Sequence, residues 1–114
     1  KKKKFFLGVK ENKKMFEEKK VSVDRADNII KKFKVDKIDL LKIDTEGYEL
    51  NVIKGFGENI DLVKVIIFEH HFDLMIKKNY NYSDINKYLA NKGFHLKYKF
   101  KMPFRKTFEY IYSK

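Results

Sequence analysis

The sequence predicts an α/β fold: the carboxyl-terminal half of a doubly wound, Rossmann-like sheet, mostly parallel and ending in an antiparallel hairpin. Three observations lead to this fold class. Two near-continuous apolar runs, over residues 37–44 and 63–68, are typical of strands that are buried on both faces of a parallel sheet. A helical apolar pattern over residues 47–54 separates them, as in a right-handed βαβ unit. Residues 94–100 and 107–112 alternate apolar and polar side chains around a turn, which predicts the hairpin.

The elements before the first apolar run are short. Residues 5–9 and residues 21–23 are expected to form strands. Asp24 is expected to be the N-cap of a helix that runs to Phe33, because a carboxylate there accepts hydrogen bonds from free backbone N–H groups. A glycine-rich turn over residues 55–59 then connects the central helix to the second apolar run.

After the second apolar run, residues 73–78 are expected to form one helical turn. Ser83 is the expected N-cap of a last helix, which Gly93 closes. The hairpin that follows is rich in aromatic side chains with lysines between them, a combination that also occurs in base-stacking surfaces. Core packing is the favoured interpretation for these aromatic residues, which are Tyr98, Phe100, Phe104, Phe108, Tyr110 and Tyr112.

The composition is that of one small domain, since 43% of the 114 residues are hydrophobic and can supply a core. Cysteine is absent, which excludes disulfides and thiolate metal sites and favours a cytoplasmic setting. No apolar stretch approaches the roughly 20 residues of a membrane span, so no transmembrane segment is expected. A chain that begins at Lys1 and not at Met is expected to be a piece of a longer reading frame.

The net charge of +11 is concentrated at the two ends of the chain. Residues 1–20 carry nine lysines and three acids, and residues 61–114 carry eleven basic and five acidic side chains. Residues 21–60 are close to neutral, with seven basic and eight acidic side chains. Basic ends attract polyanions, but arginine, the preferred phosphate ligand, occurs only at Arg25 and Arg105. Solvated lysine faces are the favoured interpretation, and no specific nucleic-acid partner is expected.

Polar residues follow both central strands at the point where each strand ends. Asp44, Glu46 and Gly47 come after the first apolar run, and Glu69 and His70 come at the end of the second. Ligands of open α/β sheets bind beyond the carboxyl ends of parallel strands. We therefore expect the chemistry of this protein at these side chains.

The first strand and its turn read DLLKIDTEGYE over residues 39–49, and the next helix contains VIKG over residues 52–55. This pattern resembles the hallmark of the FkbM-type methyltransferases, D-L-[LI]-K-I-D-x-E-G-x-E followed by x-V-[LI]-x-G. An apolar strand that ends in Glu69 and a Gly93-Phe94 step into a terminal hairpin agree in order, so the resemblance covers about residues 20–100. It implies an O-methyltransferase that uses S-adenosylmethionine.

The methyl-donor site of that family begins with a glycine-rich turn, and no Gly-x-Gly occurs before the central strand. The resemblance therefore implies that residues 1–114 are a single partial domain, a fragment that is inactive alone. Its acceptor would be a hydroxyl of a sugar, a glycan or a polyketide-like small molecule. The alternative, from another functional class, is a truncated, non-catalytic basic domain that binds polyanions.

Methyl transfer to a hydroxyl needs aligned reactants and a proton acceptor. Asp44 is the first candidate for the catalytic residue, and Asp44 and Glu46 are the candidates for contact with the cofactor. The alternative for both carboxylates is a structural role at the start of the next helix. Either His70 or His71 could instead be the general base, because imidazole titrates near neutral pH, and His70 is the second catalytic candidate. Strand alternation sends His70 and His71 to opposite faces, so at most one of them enters the site.

Asp44 and Glu69 end adjacent strands and are expected to lie roughly 5 Å apart at the backbone. Carboxylates at this spacing can hold Mg²⁺, which prefers oxygen ligands. We expect a cluster of Asp44, Glu69 and His70 that binds a metal or substrate. The alternative, which the sequence leaves equally open, is a set of structural hydrogen bonds at the sheet edge.

Overall fold

A computed structural model describes residues 18–73 and 76–114 of the chain. In chain order the elements are helix α1 (Ala26–Phe33), strand β1 (Ile38–Ile43), helix α2 (Glu49–Gly55), a 3₁₀ segment (Gly57–Leu62), strand β2 (Val63–His71), helix α3 (Tyr82–Asn91), strand β3 (His95–Lys101) and strand β4 (Thr107–Ser113). The predicted strand over residues 5–9 lies outside the described residues. The described part of the predicted turn over residues 73–78 is not helical.

The four strands form one mixed sheet in the order β1-β2-β4-β3. Strands β1 and β2 are parallel, as predicted, with Ile43 opposite Phe68. The other two pairings, β2 with β4 and β4 with β3, are antiparallel. The expectation of a mostly parallel sheet was therefore wrong for the described residues. Two features account for this: β4 returns to pair directly with β2, and the predicted strand over residues 21–23 does not form.

One face of the sheet packs against the helices and holds the hydrophobic core. Ile66 and Phe68 of β2 lie on this face beside Tyr110 and Tyr112 of β4, and all four are fully buried. The helices complete the core with fully buried residues such as Ile53, Ile85 and Leu89. Each such side chain contributes about 1.5–3 kcal/mol of burial free energy, so this face is the main source of stability.

The helix starts differ from the sequence prediction. Arg25, not Asp24, is the N-cap of α1, and it makes no side-chain capping hydrogen bond. Asp24 instead accepts hydrogen bonds from the Arg25 N–H and the Asn28 side chain. Helix α3 begins after Asn81 and not at Ser83, because Asn81 and Asp84 form a reciprocal capping box that satisfies free N–H groups at the helix start.

The hairpin aromatics divide between the core and the surface. Tyr110 and Tyr112 are buried as predicted, but Tyr98, Phe100 and Phe104 are 62%, 51% and 107% exposed, so core packing was the wrong interpretation for these three. In register, Tyr98 lies beside Ile111, on the face opposite to Tyr110. Strand β3 is an edge strand of the described sheet, and all of its residues are exposed.

Candidate functional site

The turn between β1 and α2 is built from residues in unusual backbone conformations. Glu46 has a φ of +49° and Gly47 has a φ of +100°, both in the left-handed region. A Cβ atom on Gly47 would lie 2.2 Å from Cγ2 of Ile76, so only glycine fits there. Because of these two residues, α2 begins at Glu49 and not at residue 47, the start that the sequence predicts. The turn leaves Asp44 and Glu46 exposed beyond the end of the sheet.

Glu49 holds this turn from the inside of the protein. Its side chain is buried, with 1% exposure, and its Oε1 accepts a hydrogen bond of 2.7 Å from the Gly47 N–H. Its Oε2 accepts a hydrogen bond of 2.5 Å from the Tyr80 hydroxyl, whose oxygen accepts one of 2.9 Å from the Glu49 N–H. A buried carboxylate that is satisfied at both oxygens rigidifies its surroundings, so Glu49 fixes the turn in place.

Contacts with three polar neighbours keep Glu49 ionised despite its burial. Burial raises the pKa of Glu49, but the His70 ring, the Tyr80 hydroxyl and the Gly47 N–H together lower it from 4.5 to about 2. Burial and the neighbouring Glu49 carboxylate raise the pKa of Tyr80, so its hydroxyl remains a donor at neutral pH. The network is therefore a charged one over the whole physiological pH range.

His70 belongs to this inner network and not to the sheet edge above it. The residue is 1% exposed, and its Nδ1 lies 3.7 Å from Oε2 of Glu49. Its ring packs edge-on against Phe72, with a centroid distance of 4.9 Å, and lies near the rings of Tyr80 and Tyr82. His70 thus faces the helices, on the side of β2 that forms the core.

The opposite face of β2 brings Glu69 and His71 together. Nε2 of His71 lies 3.2 Å from Oε2 of Glu46 and 4.0 Å from Oε2 of Glu69. On its other side, Nδ1 of His71 is 3.0 Å from the hydroxyl of Thr107, which is buried. The three ligand atoms of Glu46, Glu69 and His71 all lie within 4.8 Å of one another, as a group that could hold a metal ion.

The structure therefore forms a different cluster from the one expected. The sequence joined Asp44, Glu69 and His70, but Glu69 and His70 are consecutive residues of a strand and point to opposite faces. The two histidines point to opposite faces, as predicted, and His71 is the one that lies beside Glu46 and Glu69. Asp44 follows β1 as an exposed residue, and the metal-type group of the described residues does not include it.

An open groove lies beside the Gly47 turn. Its walls carry one aromatic ring, two lysines and two amides, from Gly47, Tyr48, Asn51, Lys77, Lys78 and Asn79. Tyr48 is 60% exposed there. The Lys78 ammonium also donates a hydrogen bond to the main-chain carbonyl of His71, so the groove adjoins the Glu46–Glu69–His71 cluster. Polar strand ends and a groove thus share one edge of the molecule.

Comparison with protein families assigns the chain to one of them. The model of the methyltransferase FkbM domain matches residues 3–96. The chain belongs to the FkbM methyltransferase family. No curated protein and no solved structure matches the chain significantly. In the described part of this FkbM domain, no helix is long and apolar enough to cross a membrane.

Sequence reasoning gave no role in the turn to two residues that hold it, Glu49 and Tyr80. The position of Glu49 was informative, because it lies four residues before the buried Ile53 and so shares the apolar face of α2. A carboxylate on a buried helix face needs hydrogen-bond donors, so a donor residue could be expected, but the sequence does not identify it. Tyr80 lies 31 residues further along the chain, and only the folded structure brings its hydroxyl to Glu49.

Proposed function

We propose that this chain is the acceptor-side part of an S-adenosylmethionine-dependent O-methyltransferase. The observation that carries the proposal is the meeting of polar strand ends and an open groove at the carboxyl ends of β1 and β2. Ligands of α/β sheets bind at that edge. The match to the methyltransferase FkbM domain supports the class of enzyme.

The methyl donor of the proposal is S-adenosylmethionine, the cofactor implied by the family. Its sulfonium supplies an activated methyl group, which passes to the acceptor oxygen as the C–S bond breaks and the C–O bond forms. Exposed Asp44 and Glu46, at the mouth of the turn, are proposed to contact the donor. The described residues before β1 contain no glycine, so they do not supply a glycine-rich donor turn. The proposed contribution of the described chain to donor binding is the pair of carboxylates at the strand ends. The Rossmann-like partial domain expected from the sequence fits this division.

The acceptor hydroxyl must lose its proton during methyl transfer, and the proposal assigns that proton to Asp44. Asp44 is exposed directly beyond β1, where an acceptor can approach it. His70, the second candidate from the sequence, is 1% exposed, so a substrate hydroxyl cannot reach its ring without displacing core residues. The proposal therefore gives His70 a positioning role beside Glu49.

The composition of the groove supports a polar acceptor such as a sugar or glycan hydroxyl more than an apolar polyketide. Tyr48 offers an exposed ring, and Asn51, Asn79 and the two lysines offer hydrogen-bond donors. Sugar rings present both hydroxyls and apolar C–H faces, and such a mixed lining suits both. The cytoplasmic setting expected from the sequence stays a prediction.

The test uses the complete open reading frame that contains this chain. Transfer of a labelled methyl group from S-adenosylmethionine would be measured for a panel of glycans and hydroxylated small molecules. Asp44→Asn should lower kcat by about 100-fold or more, the usual contribution of a general base. Asp39→Asn is the matched control, because Asp39 is an exposed carboxylate of the same strand, paired with Lys37. Absence of transfer to every hydroxyl would overturn the function, and an unchanged Asp44→Asn rate would overturn the role of Asp44.

A further inference from the structure

The Glu46–Glu69–His71 cluster has the dimensions of a metal site. Metal–ligand bonds of Zn²⁺ to nitrogen and oxygen are about 2.0–2.2 Å long, so two ligands of one ion lie no more than about 4.4 Å apart. The Nε2 of His71 is 3.2 Å from Glu46 and 4.0 Å from Glu69. With all three ligand atoms within 4.8 Å of one another, a small rotation of one side chain brings the set within that limit. Glu46, whose side chain is 64% exposed, is free to make that rotation.

The orientation of His71 provides the second, independent observation. Its side chain is 11% exposed, and its Nε2 is fully buried without a hydrogen-bond partner among the described residues. Its other nitrogen lies 3.0 Å from the buried hydroxyl of Thr107. A metal-binding histidine is commonly held in this way, with one nitrogen on a fixed neighbouring group and the other directed at the ion. This Nε2 lies 3.2 Å from the Glu46 carboxylate and 4.0 Å from that of Glu69.

The charges around the cluster also favour a cation. Glu69 and Glu109 are opposite each other on β2 and β4, and Lys42 balances Glu109 at 3.4 Å. Among the ion pairs of the described residues, His71 is the partner of both Glu46 and Glu69. Two carboxylates that share one imidazole leave net negative charge at a partly buried position. That charge attracts a divalent ion.

We propose that Glu46, Glu69 and His71 bind a divalent transition-metal ion of the Zn²⁺ or Mn²⁺ class. An imidazole with carboxylates suits these ions, whereas Mg²⁺ prefers oxygen ligands alone. Three protein ligands leave coordination positions open to solvent, on the side where Glu46 is exposed. A substrate oxygen in the adjoining groove would fill one of those positions, a statement that rests on the proposed function. The competing explanation of the cluster is an ion pair between a protonated His71 and Glu46.

The test measures metal binding to the 114-residue chain by calorimetry, with Zn²⁺, Mn²⁺ and Mg²⁺ titrated separately. Zn²⁺ should bind at one equivalent and at least about tenfold more tightly than Mg²⁺. The nitrogen resonances of His71 should shift on addition of Zn²⁺, while those of His70 and His95 stay in place. His71→Gln and Glu69→Gln should each weaken Zn²⁺ binding by at least about tenfold.

Two further variants keep the test valid if a buried substitution unfolds the chain. Glu46→Gln changes an exposed side chain and should still weaken Zn²⁺ binding by about tenfold, and Thr107→Val should do so through the orientation of His71 alone. The matched controls are His95→Gln and Glu58→Gln, both exposed and outside the cluster, which should bind Zn²⁺ like the parent. Equal affinities for Zn²⁺ and Mg²⁺, parent-like binding by Glu46→Gln, or an equal loss in His95→Gln would each overturn the proposed metal site. Zinc binding without methyl transfer would refute the proposed function and leave this site intact, and the reverse result would refute this site alone.

Discussion

Replacing Glu49 by glutamine tests the idea that a buried carboxylate fixes the functional turn. Glutamine has nearly the same shape but offers one acceptor oxygen where glutamate offers two. In the folded chain, those two oxygens accept hydrogen bonds from the Gly47 N–H at 2.7 Å and from the Tyr80 hydroxyl at 2.5 Å. Glu49→Gln therefore leaves one of these buried donors without an acceptor.

The size of the effect follows from these hydrogen bonds in two ways. A buried donor without a partner costs about 1–3 kcal/mol, and the loss of a charge-assisted hydrogen bond adds about 1 kcal/mol. Separately, a pKa of Glu49 that falls from 4.5 to about 2 on folding corresponds to about 3 kcal/mol, at about 1.4 kcal/mol for each factor of ten. Both routes predict that Glu49→Gln lowers the free energy of unfolding by about 3 kcal/mol at neutral pH.

The pH dependence gives the prediction its sharpest form. Because the pKa of Glu49 is lower in the folded than in the unfolded chain, its contribution is fully present above about pH 4.5. It is lost as the pH falls from 4.5 towards 2, where the carboxyl becomes protonated in both states. The difference in unfolding free energy between parent and variant should therefore shrink across this range.

Urea unfolding, followed by far-UV circular dichroism at several pH values between 2 and 7, measures these free energies. Tyr80→Phe and the double variant complete a cycle, in which the two substitutions should be strongly non-additive because they remove one shared hydrogen bond. Glu58→Gln is the control, since Glu58 is an 88% exposed carboxylate that pairs only with Lys92 in the described structure. A Glu49→Gln variant as stable as the parent at pH 7, or one with the same loss at every pH, would refute this account of the turn.

Two other pairs of substitutions separate backbone, steric and polar effects. Gly47→Ala should cost more than about 2 kcal/mol, because its φ is +100° and the new Cβ would meet Ile76 at 2.2 Å. Gly93 has a comparable φ of +82°, but a Cβ added there would meet nothing within 4 Å. Gly93→Ala should therefore lower the free energy of unfolding in urea by only about 1 kcal/mol, which measures the cost of the backbone conformation without a steric clash. Tyr112→Phe should lose about 1–2 kcal/mol, because its hydroxyl has two partners at 2.7 Å. Tyr110→Phe removes a buried hydroxyl that has no hydrogen-bond partner among the described residues, so the melting temperature should stay unchanged or rise. Equal melting temperatures for the two tyrosine variants would contradict the assigned hydrogen bonds.

The local elements around the site were predictable because their apolar patterns are local. The runs that became β1 and β2, and the helical spacing of Leu50 and Ile53 between them, gave the parallel pair and its connecting helix. The direction of the remaining pairings was not predictable in this way. Which strand pairs with β2 depends on contacts more than 35 residues apart, such as His70 with Phe108, and no periodicity encodes that choice.

The hairpin shows why alternation alone does not give burial. Tyr98 and Phe100 alternate with lysines as a buried strand would, but they pair with Ile111 and Glu109, on the face of the sheet opposite to the buried Tyr110 and Tyr112. The register is also shifted between Leu96 and Tyr98, which interrupts the alternation. Burial requires a covering layer, and the position of that layer is a property of the tertiary structure.

The choice of histidine, in contrast, was within reach of the sequence. Side chains two residues apart on a strand share a face, so Glu69 and His71 belong together and His70 belongs to the other side. Counting from Glu69 would have selected His71. The contact of Glu46 with His71 was beyond sequence reasoning, because it depends on the left-handed backbone at Glu46 and Gly47.

These observations give the two glutamates of the D-x-E-G-x-E pattern opposite roles. Glu49 points inward, where it accepts the Gly47 N–H and holds the turn that the left-handed residues create. Glu46 points outward, where its carboxylate lies 3.2 Å from His71. The position of Glu46 depends on the conformation of Gly47, which in turn depends on Glu49. The buried hydrogen bonds of Glu49 therefore set the geometry of the Glu46–Glu69–His71 cluster. A substitution at Glu49 should therefore weaken ligand binding at Glu46 and His71, even though its side chain contacts neither.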